Sequence, residues 1–321
     1  MKRDLRIAYM GTPEFAVPAL GSLLENNCRI SAVVTAPDRP AGRGRKVKQS
    51  PVKEFALVRG LKVLQPANLK DPEFARELSK LGINLIIVVA FRMLPESIWK
   101  LPEYGTFNLH ASLLPQYRGA APINWAIIQG EEKAGLTTFF IDEKIDTGRI
   151  ILQEEVPILE TDHAGDLHDR LMLKGAELVL QTTQMIANDT VDSQEQSIHI
   201  NKDTKLKAAP KLFREDLEIN WEMGLDKVYD FIRGLSPYPG ARAKMISEKG
   251  DSYEVKILAG TREPDPMANP GEIRTDNKNI LEIGCKGGWY QVSKLQLAGR
   301  KALETEDFLR GFNFSGNWKM S

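Results

Sequence analysis

The chain has 321 residues with 43 basic and 43 acidic side chains, a formal net charge of zero. That balance excludes a uniformly cationic nucleic-acid coat and leaves room only for a local basic patch. Apolar residues at 42% and charged residues at 27% suit a globular chain long enough for two domains, and the two cysteines, Cys28 and Cys285, fit reduced thiols rather than a disulfide framework. No apolar run approaches a membrane span, and the first residues lack leader character, so a cytoplasmic protein away from the membrane is expected.

Residues 5–10 read as a first buried strand. Residues 11–15 follow as a turn, with Thr12 as a helix cap and Pro13 as a first helical residue. Ala16, Ala19, Leu20, Leu23 and Leu24 then recur at helical spacing, with Pro18 awkward among them. This strand–turn–helix opening is Rossmann-like, but Gly11 stands alone where the dinucleotide fingerprint needs three glycines, which argues against NAD. Residues 30–34 form a second strand. The run from Pro37 to Lys48 then carries five positive charges, Arg39, Arg43, Arg45, Lys46 and Lys48, against Asp38 alone. Its proline and glycines exclude a stable helix, leaving a flexible cationic loop. That loop is either simply solvated or a phosphate-contacting arm that orders on RNA.

Ser50-Pro51 and Asp71-Pro72 each start a helix, Gly60 closes the first, and residues 62–64 make a short strand between them. Residues 83–90 are almost continuously apolar, as a central parallel strand covered on both faces would be. Strands alternating with helices predict a doubly wound α/β domain, whose ligands bind beyond the strands' carboxyl ends. Residues 90–95 lie beyond such an end.

Gly105-Thr106-Phe107 launches the next strand. Asn108 and His110 project from one of its faces and Phe107 and Leu109 from the other, before Pro115 and Gly119 end regular structure. Two readings are open: a buried polar pair satisfied by backbone, or an amide and an imidazole placed for carbonyl chemistry. A short helix is expected over 123–129, a strand over 135–141, its hairpin partner over 148–158, and a long helix over 164–187. His163 and His168 have no cysteine beside them and read as surface helix residues, so no metal site is expected. Residues 188–207 are polar and read as a linker. Leu225, Val228, Ile232 and Leu235 mark one further helix, and short strands at 255–258, 280–283 and 290–292 suit a small β-barrel.

The stretch Asn108-Leu109-His110-Ala111-Ser112-Leu113-Leu114-Pro115, continued by Tyr117-Arg118-Gly119-Ala120-Ala121-Pro122-Ile123, resembles the signature of the folate-dependent formyltransferases. Asp146-Thr147-Gly148 matches the motif that family carries after the next strand, and residues 11–16 resemble its opening. Phe213, Trp221, residues 235–241 and residues 297–301 resemble the OB-like second domain of those members that act on charged tRNA. The resemblance implies a Rossmann-like formyltransferase domain over 1–188, a linker over 189–207, and a small OB-like, tRNA-binding β-barrel over 208–321. It implies transfer of a formyl group from 10-formyltetrahydrofolate to the α-amino group of methionine on initiator methionyl-tRNA, by a monomer. Asn108, His110 and Asp146 would be catalytic. Asp142 competes with Asp146 and could instead help bind folate, alongside Phe91, Arg92, Met93 and Leu94 and the loop of Ser112, Leu113, Leu114 and Pro115. Arg39, Arg43, Arg45, Lys46 and Lys48 would meet tRNA, as would a second basic cluster of Lys202, Lys205, Lys207, Lys211 and Arg214. Two other readings stay open, a related enzyme formylating a small amine such as a nucleotide or amino sugar, and an RNA-binding protein without catalysis.

Overall fold

The computed structural model describes residues 2–41, 46–200 and 205–321. The chain divides into two compact units, one of Met1–Gly119, Ala134–Pro157 and His168–Ala208, the other of Ala120–Lys133, Ile158–Leu167 and Ala209–Ser321.

Ten strands precede residue 160: β1 (Ile7–Gly11), β2 (Ile30–Val34), β3 (Arg39–Ala41), β4 (Lys46–Lys48), β5 (Val63–Leu64), β6 (Leu85–Val89), β7 (Thr106–His110), β8 (Arg118–Gly119), β9 (Lys133–Phe140) and β10 (Ile150–Pro157). Seven of them form the main sheet, in the order β10-β9-β7-β6-β1-β2-β5. β1 runs parallel to β2 and β6, β6 parallel to β7, and β7 antiparallel to β9. β1 and β6 are buried along their whole length, which is why their sequences are continuously apolar rather than alternating. The carboxyl ends of β1, β6 and β7 therefore lie side by side, and the segments that follow them share one rim.

The helices up to residue 188 are α1 (Val17–Glu25), α2 (Pro51–Val58), α3 (Pro72–Lys80), α4 (Glu96–Trp99), α5 (Pro122–Ile128), which falls in the second unit, and α6 (Ala164–Asn188). Ser50 caps α2 by accepting the Lys53 N–H at 3.1 Å, and Asp71 caps α3 by accepting the Glu73 N–H at 3.0 Å, as their sequence positions suggest. The start of α1 differs from expectation. A 3₁₀ turn over Glu14–Ala16 intervenes, the α-helix begins at Val17, and Pro18 falls in its first turn, where no N–H is missed. Thr12 caps nothing; its hydroxyl accepts the Ala36 N–H at 3.3 Å. Phe74 and Leu78 of α3 pack on Met10, Val34 and Ile86 of the sheet, each such side chain contributing about 1.5–3 kcal/mol by leaving water. α6 is joined to β9 by a buried hydroxyl pair, Thr138 Oγ1 to Thr182 Oγ1, at 2.8 Å.

The cationic run also differs from a plain loop. Its flanks, β3 and β4, pair antiparallel, with Arg39 opposite Lys48 and Ala41 opposite Lys46. Like charges directly opposite one another oppose such a ribbon.

In the second unit, α7 (Leu225–Leu235) packs on a sheet built from β12 (Ala241–Ser247), β13 (Ser252–Pro264), β14 (Ile273–Thr275), β15 (Leu281–Cys285), β16 (Gly288–Leu297), β17 (Leu303–Glu304) and β18 (Trp318–Met320), preceded by the two-residue β11 (Ala208–Ala209) and with α8 (Thr305–Leu309) following β17. The order is β14-β15-β16-β13-β12-β18, and the outer strands come together: the Met320 N–H donates to Gly271 O at 2.7 Å, and Glu272 bridges Lys319. The sheet is thus a nearly closed antiparallel barrel, with Val228, Ile232 and Leu235 of α7 inserted among Ile257, Ile283 and Tyr290. Among the described residues no helix is long and apolar enough to cross a membrane.

Cys285 lies in that core, and burial pushes its thiol up to about 12, while burial also raises the half-buried Cys28 thiol against the opposing charge of Lys2. Thiolate is the reactive form. In a folded Cys28→Ser variant, a thiol-exchange reagent at pH 8 is expected to give almost no signal until denaturant is added, then one equivalent; rapid native labelling would contradict the burial.

Candidate active site

β7 carries the first two groups of the site. His110 is 6% exposed. Its Nε2 lies 2.8 Å from the Tyr117 carbonyl. A carbonyl only accepts, so Nε2 bears the proton and the lone pair of the neutral ring sits on Nδ1. Nδ1 in turn faces Asp146 Oδ2 at 3.8 Å, too long for a direct hydrogen bond. Asn108, two residues earlier, is half-buried, and among the described residues no group of the protein hydrogen-bonds its amide. An amide with open donors beside an imidazole with a free Nδ1 lone pair can bind an oxygen that gains negative charge and move a proton next to it.

Asp146 reaches this place because the loop after β9 folds back. Phe140 pairs with Phe107 at the far end of β7, yet six residues later the chain stands beside His110. Asp146 has φ +54°, a left-handed conformation that aspartate tolerates better than most residues. Its Oδ2 accepts the Gly119 N–H at 2.9 Å, which aims the carboxylate. Gly148 is required by contact: a Cβ there would lie 1.7 Å from the Phe140 carbonyl oxygen. Asp142 Oδ1 accepts from Thr147 Oγ1 at 2.7 Å and from the Lys144 N–H at 3.1 Å. Its exposed carboxylate thus closes the loop that presents Asp146.

The loop after β7 is held just as tightly. Ser112 Oγ donates to Gln116 O at 2.7 Å, the Leu114 N–H donates to Thr137 Oγ1 at 3.1 Å, and Gln153 Nε2 donates to Leu114 O at 2.8 Å. Leu114 joins Phe139 and Ile150 in a small apolar cluster. Leu113 packs where a Cβ on Gly135 would come within 2.4 Å of it. In the segment after β6, Leu94 is buried in the sheet's core and Met93 is 78% exposed. Arg92 donates to Pro66 O at 2.8 Å and Ala67 O at 3.2 Å, and its buried Nε has no partner among the described residues. Burial, and then the nearby Arg39 charge, hold the Arg92 guanidinium below its usual range.

The cationic residues are more scattered. Arg39 and Lys48 are exposed on the β3–β4 ribbon, and Lys46 belongs to β4. Arg43 and Arg45 lie outside the described residues, as does Lys202. Lys207 is exposed, and its backbone is tied to the site loop: its N–H donates to Gln116 Oε1 at 2.8 Å, and its carbonyl accepts the Tyr117 N–H at 2.6 Å. Lys211 places its ammonium 5.4 Å from the Phe213 ring. Sequence reasoning missed Gln196, which is 2% exposed and donates from Nε2 to the Asp146 and Gly148 carbonyls, both at 2.9 Å. Nothing in the polar stretch around it marks one glutamine above another.

The sequence profile described as Formyl transferase matches residues 5–183, and that described as Formyl transferase, C-terminal domain, matches residues 211–313. The chain is 49% identical to a methionyl-tRNA formyltransferase of Bacteroides thetaiotaomicron over 100% of its own length and 99% of the relative's. It is 48% identical to that of Flavobacterium johnsoniae, covering 98% of this chain and 99% of the relative. Among solved structures, the sugar 3N-formyl transferase WlaRD, crystallised with dTDP and 5-N-formyl-THF, aligns at TM-score 0.64 and 20% identity over 93% of this chain and all of that one. HypX from Aquifex aeolicus in complex with tetrahydrofolic acid aligns at TM-score 0.64 and 18% identity over 96% of this chain and 47% of that one. At such identities the solved structures establish the fold alone.

The contact at Gly148 sets an expected outcome. Gly148→Ala forces backbone apart where β9 and β10 meet and should cost about 1–3 kcal/mol in a denaturant titration. Unchanged stability would contradict the close approach.

Proposed function

The chain belongs to the formyl transferase family, and on that premise we propose that it moves a formyl group from 10-formyltetrahydrofolate to the α-amino group of methionine on initiator tRNA. Relatives that share almost half its residues over their full length are named methionyl-tRNA formyltransferase. The observation that carries the site assignment is the unpartnered Asn108 amide beside a histidine whose Nε2 is committed to Tyr117 and whose Nδ1 faces Asp146.

The formylated folate supplies the activated one-carbon unit when bound. Asn108 donates to the formyl oxygen, which gains negative charge as the amine adds to the carbon, and it does so without titrating. The amine nitrogen must lose a proton and the departing folate nitrogen must gain one. His110 can carry that proton only on Nδ1, and Asp146 stabilises the ring while it is charged. For the folate we propose the rim formed by Phe91, Arg92, Met93 and Leu94 and the loop from Ser112 to Pro115. Because Leu94 and Leu114 are turned into apolar clusters, that rim would offer mainly backbone groups and the exposed Met93 side chain. Asp142 contributes by shaping the loop beneath Asp146.

For the tRNA we propose the cationic run of Arg39, Arg43, Arg45, Lys46 and Lys48, aided by Lys207 and Lys211. Arg39 opposite Lys48 supports this, because a phosphate between them relieves their repulsion. A small amine acceptor gives no use for such a ribbon. The reading includes a monomer acting in the cytoplasm.

His110→Ala and Asp146→Asn are each expected to lower formyl transfer about a hundredfold or more with little change in melting temperature. Near-parental turnover by folded His110→Ala would refute the assignment. Arg43→Ala is expected to weaken tRNA binding, leave folate binding unchanged, and make the log–log salt dependence shallower by roughly one unit. An unchanged salt slope in a binding titration would remove Arg43 from the contact.

A further inference from the structure

The stretch between the two domains is bound into the first unit through residues with no assigned role. Gln194 exchanges two backbone hydrogen bonds with Ile150, both at 2.8 Å. Arg149 donates to Ser193 Oγ at 3.0 Å and to Glu195 Oε1 at 2.6 Å. These contacts deliver Gln196 into the interior. There its two N–H groups go to the Asp146 and Gly148 carbonyls, while Oε1 accepts Arg118 Nε at 3.1 Å and Nη2 at 2.6 Å. Both donors and both lone pairs of one buried amide are used.

We propose that Gln196 is a positioning residue for formyl transfer, acting by locking the Asp146 loop to the loop that holds His110. The inference rests on Asp146 being catalytic, as proposed above. The connection closes a ring. Arg118 is flanked by Tyr117, whose carbonyl takes the His110 proton donor, and by Gly119, whose N–H aims the Asp146 carboxylate. Gln196 ties Arg118 back to Asp146, so the 3.8 Å between His110 Nδ1 and Asp146 Oδ2 is fixed from both sides. Asp146 also holds a left-handed backbone that needs outside support, and Gln196 bonds its carbonyl directly. A fully satisfied buried network of this kind rigidifies what it joins. Only an amide both accepts from a guanidinium and donates to two carbonyls. Glutamate would keep Arg118 but turn two acceptors against two acceptors.

The experiment is a double-mutant cycle on the full chain, read as kcat and KM for tRNA and for formyl-folate, with melting temperatures alongside. Gln196→Ala and Gln196→Glu are each expected to lower kcat roughly tenfold or more with both KM values within about twofold, since misplacing a reacting group by a fraction of an ångström costs rate more than binding. In the Asp146→Asn background, Gln196→Ala is expected to lower kcat by less than about twofold, because what it positions is gone. The proposal is overturned if either folded single variant keeps parental kcat, or if the loss is equally large in both backgrounds. Should Gln196→Ala melt below the assay temperature, Gln196→Glu, which retains the Arg118 contact, decides. If Asp146→Asn itself costs nothing, the catalytic assignment fails instead, a result separable from a Gln196 failure.

Discussion

The hydrogen bond from His110 Nε2 to the Tyr117 carbonyl is the constraint on which the site depends. It fixes the proton on Nε2 before any substrate arrives, and it leaves Nδ1 opposite a carboxylate. It also dictates the path of the loop between the two residues. The chain must leave β7, turn within seven residues and bring its own carbonyl back over the ring. The turn ends with Tyr117 at φ +58°, and its interior is held by Thr137 and Gln153 from β9 and β10. β9, beside β7, and β10 beyond it therefore shape the loop, through Thr137 and Gln153.

Asn108 and Gln196 show two fates for a glutamine-type amide in one protein. Gln196 is buried and fully satisfied, so it can only hold things in place. Asn108 is half-buried with its donors open, and an unmet donor in a sheltered position is costly unless a ligand meets it. The fold tolerates that cost at the strand end where the family's chemistry is expected. Leu114 and Leu94 anchor the segments after β7 and β6 in apolar clusters.

Much of this was legible in the sequence, and for physical reasons. Apolar runs over β1 and β6 are diagnostic of covered parallel strands, and Ser50 and Asp71 announce helices because few other residues satisfy a first turn so cheaply. The Asn108–His110 pair follows from strand alternation once the strand is recognised. What could not be read was whatever depends on two distant segments meeting. Thr12 looked like a cap because its neighbours did, but its hydroxyl was taken by Ala36 from another loop. The cationic run gave no alternation to suggest that its flanks pair. Gln196 sits among residues of no periodicity, and its importance is entirely in where its amide ends up.

The bridge between Gln194 and Ile150, with Gln196 beyond it, changes what counts as a transplantable module. A spacer joining two independent bodies can be lengthened, shortened or exchanged at will. Here residues 193–196 are a structural piece of the body that precedes them, even though composition makes the stretch look like a tether. Chimaeras that graft a different second domain onto this chain therefore need their junction after Lys207, whose backbone is still stitched to Gln116 and Tyr117. A junction at residue 188 would hand the recipient a formyltransferase body whose Asp146 loop has lost its Gln196 contacts.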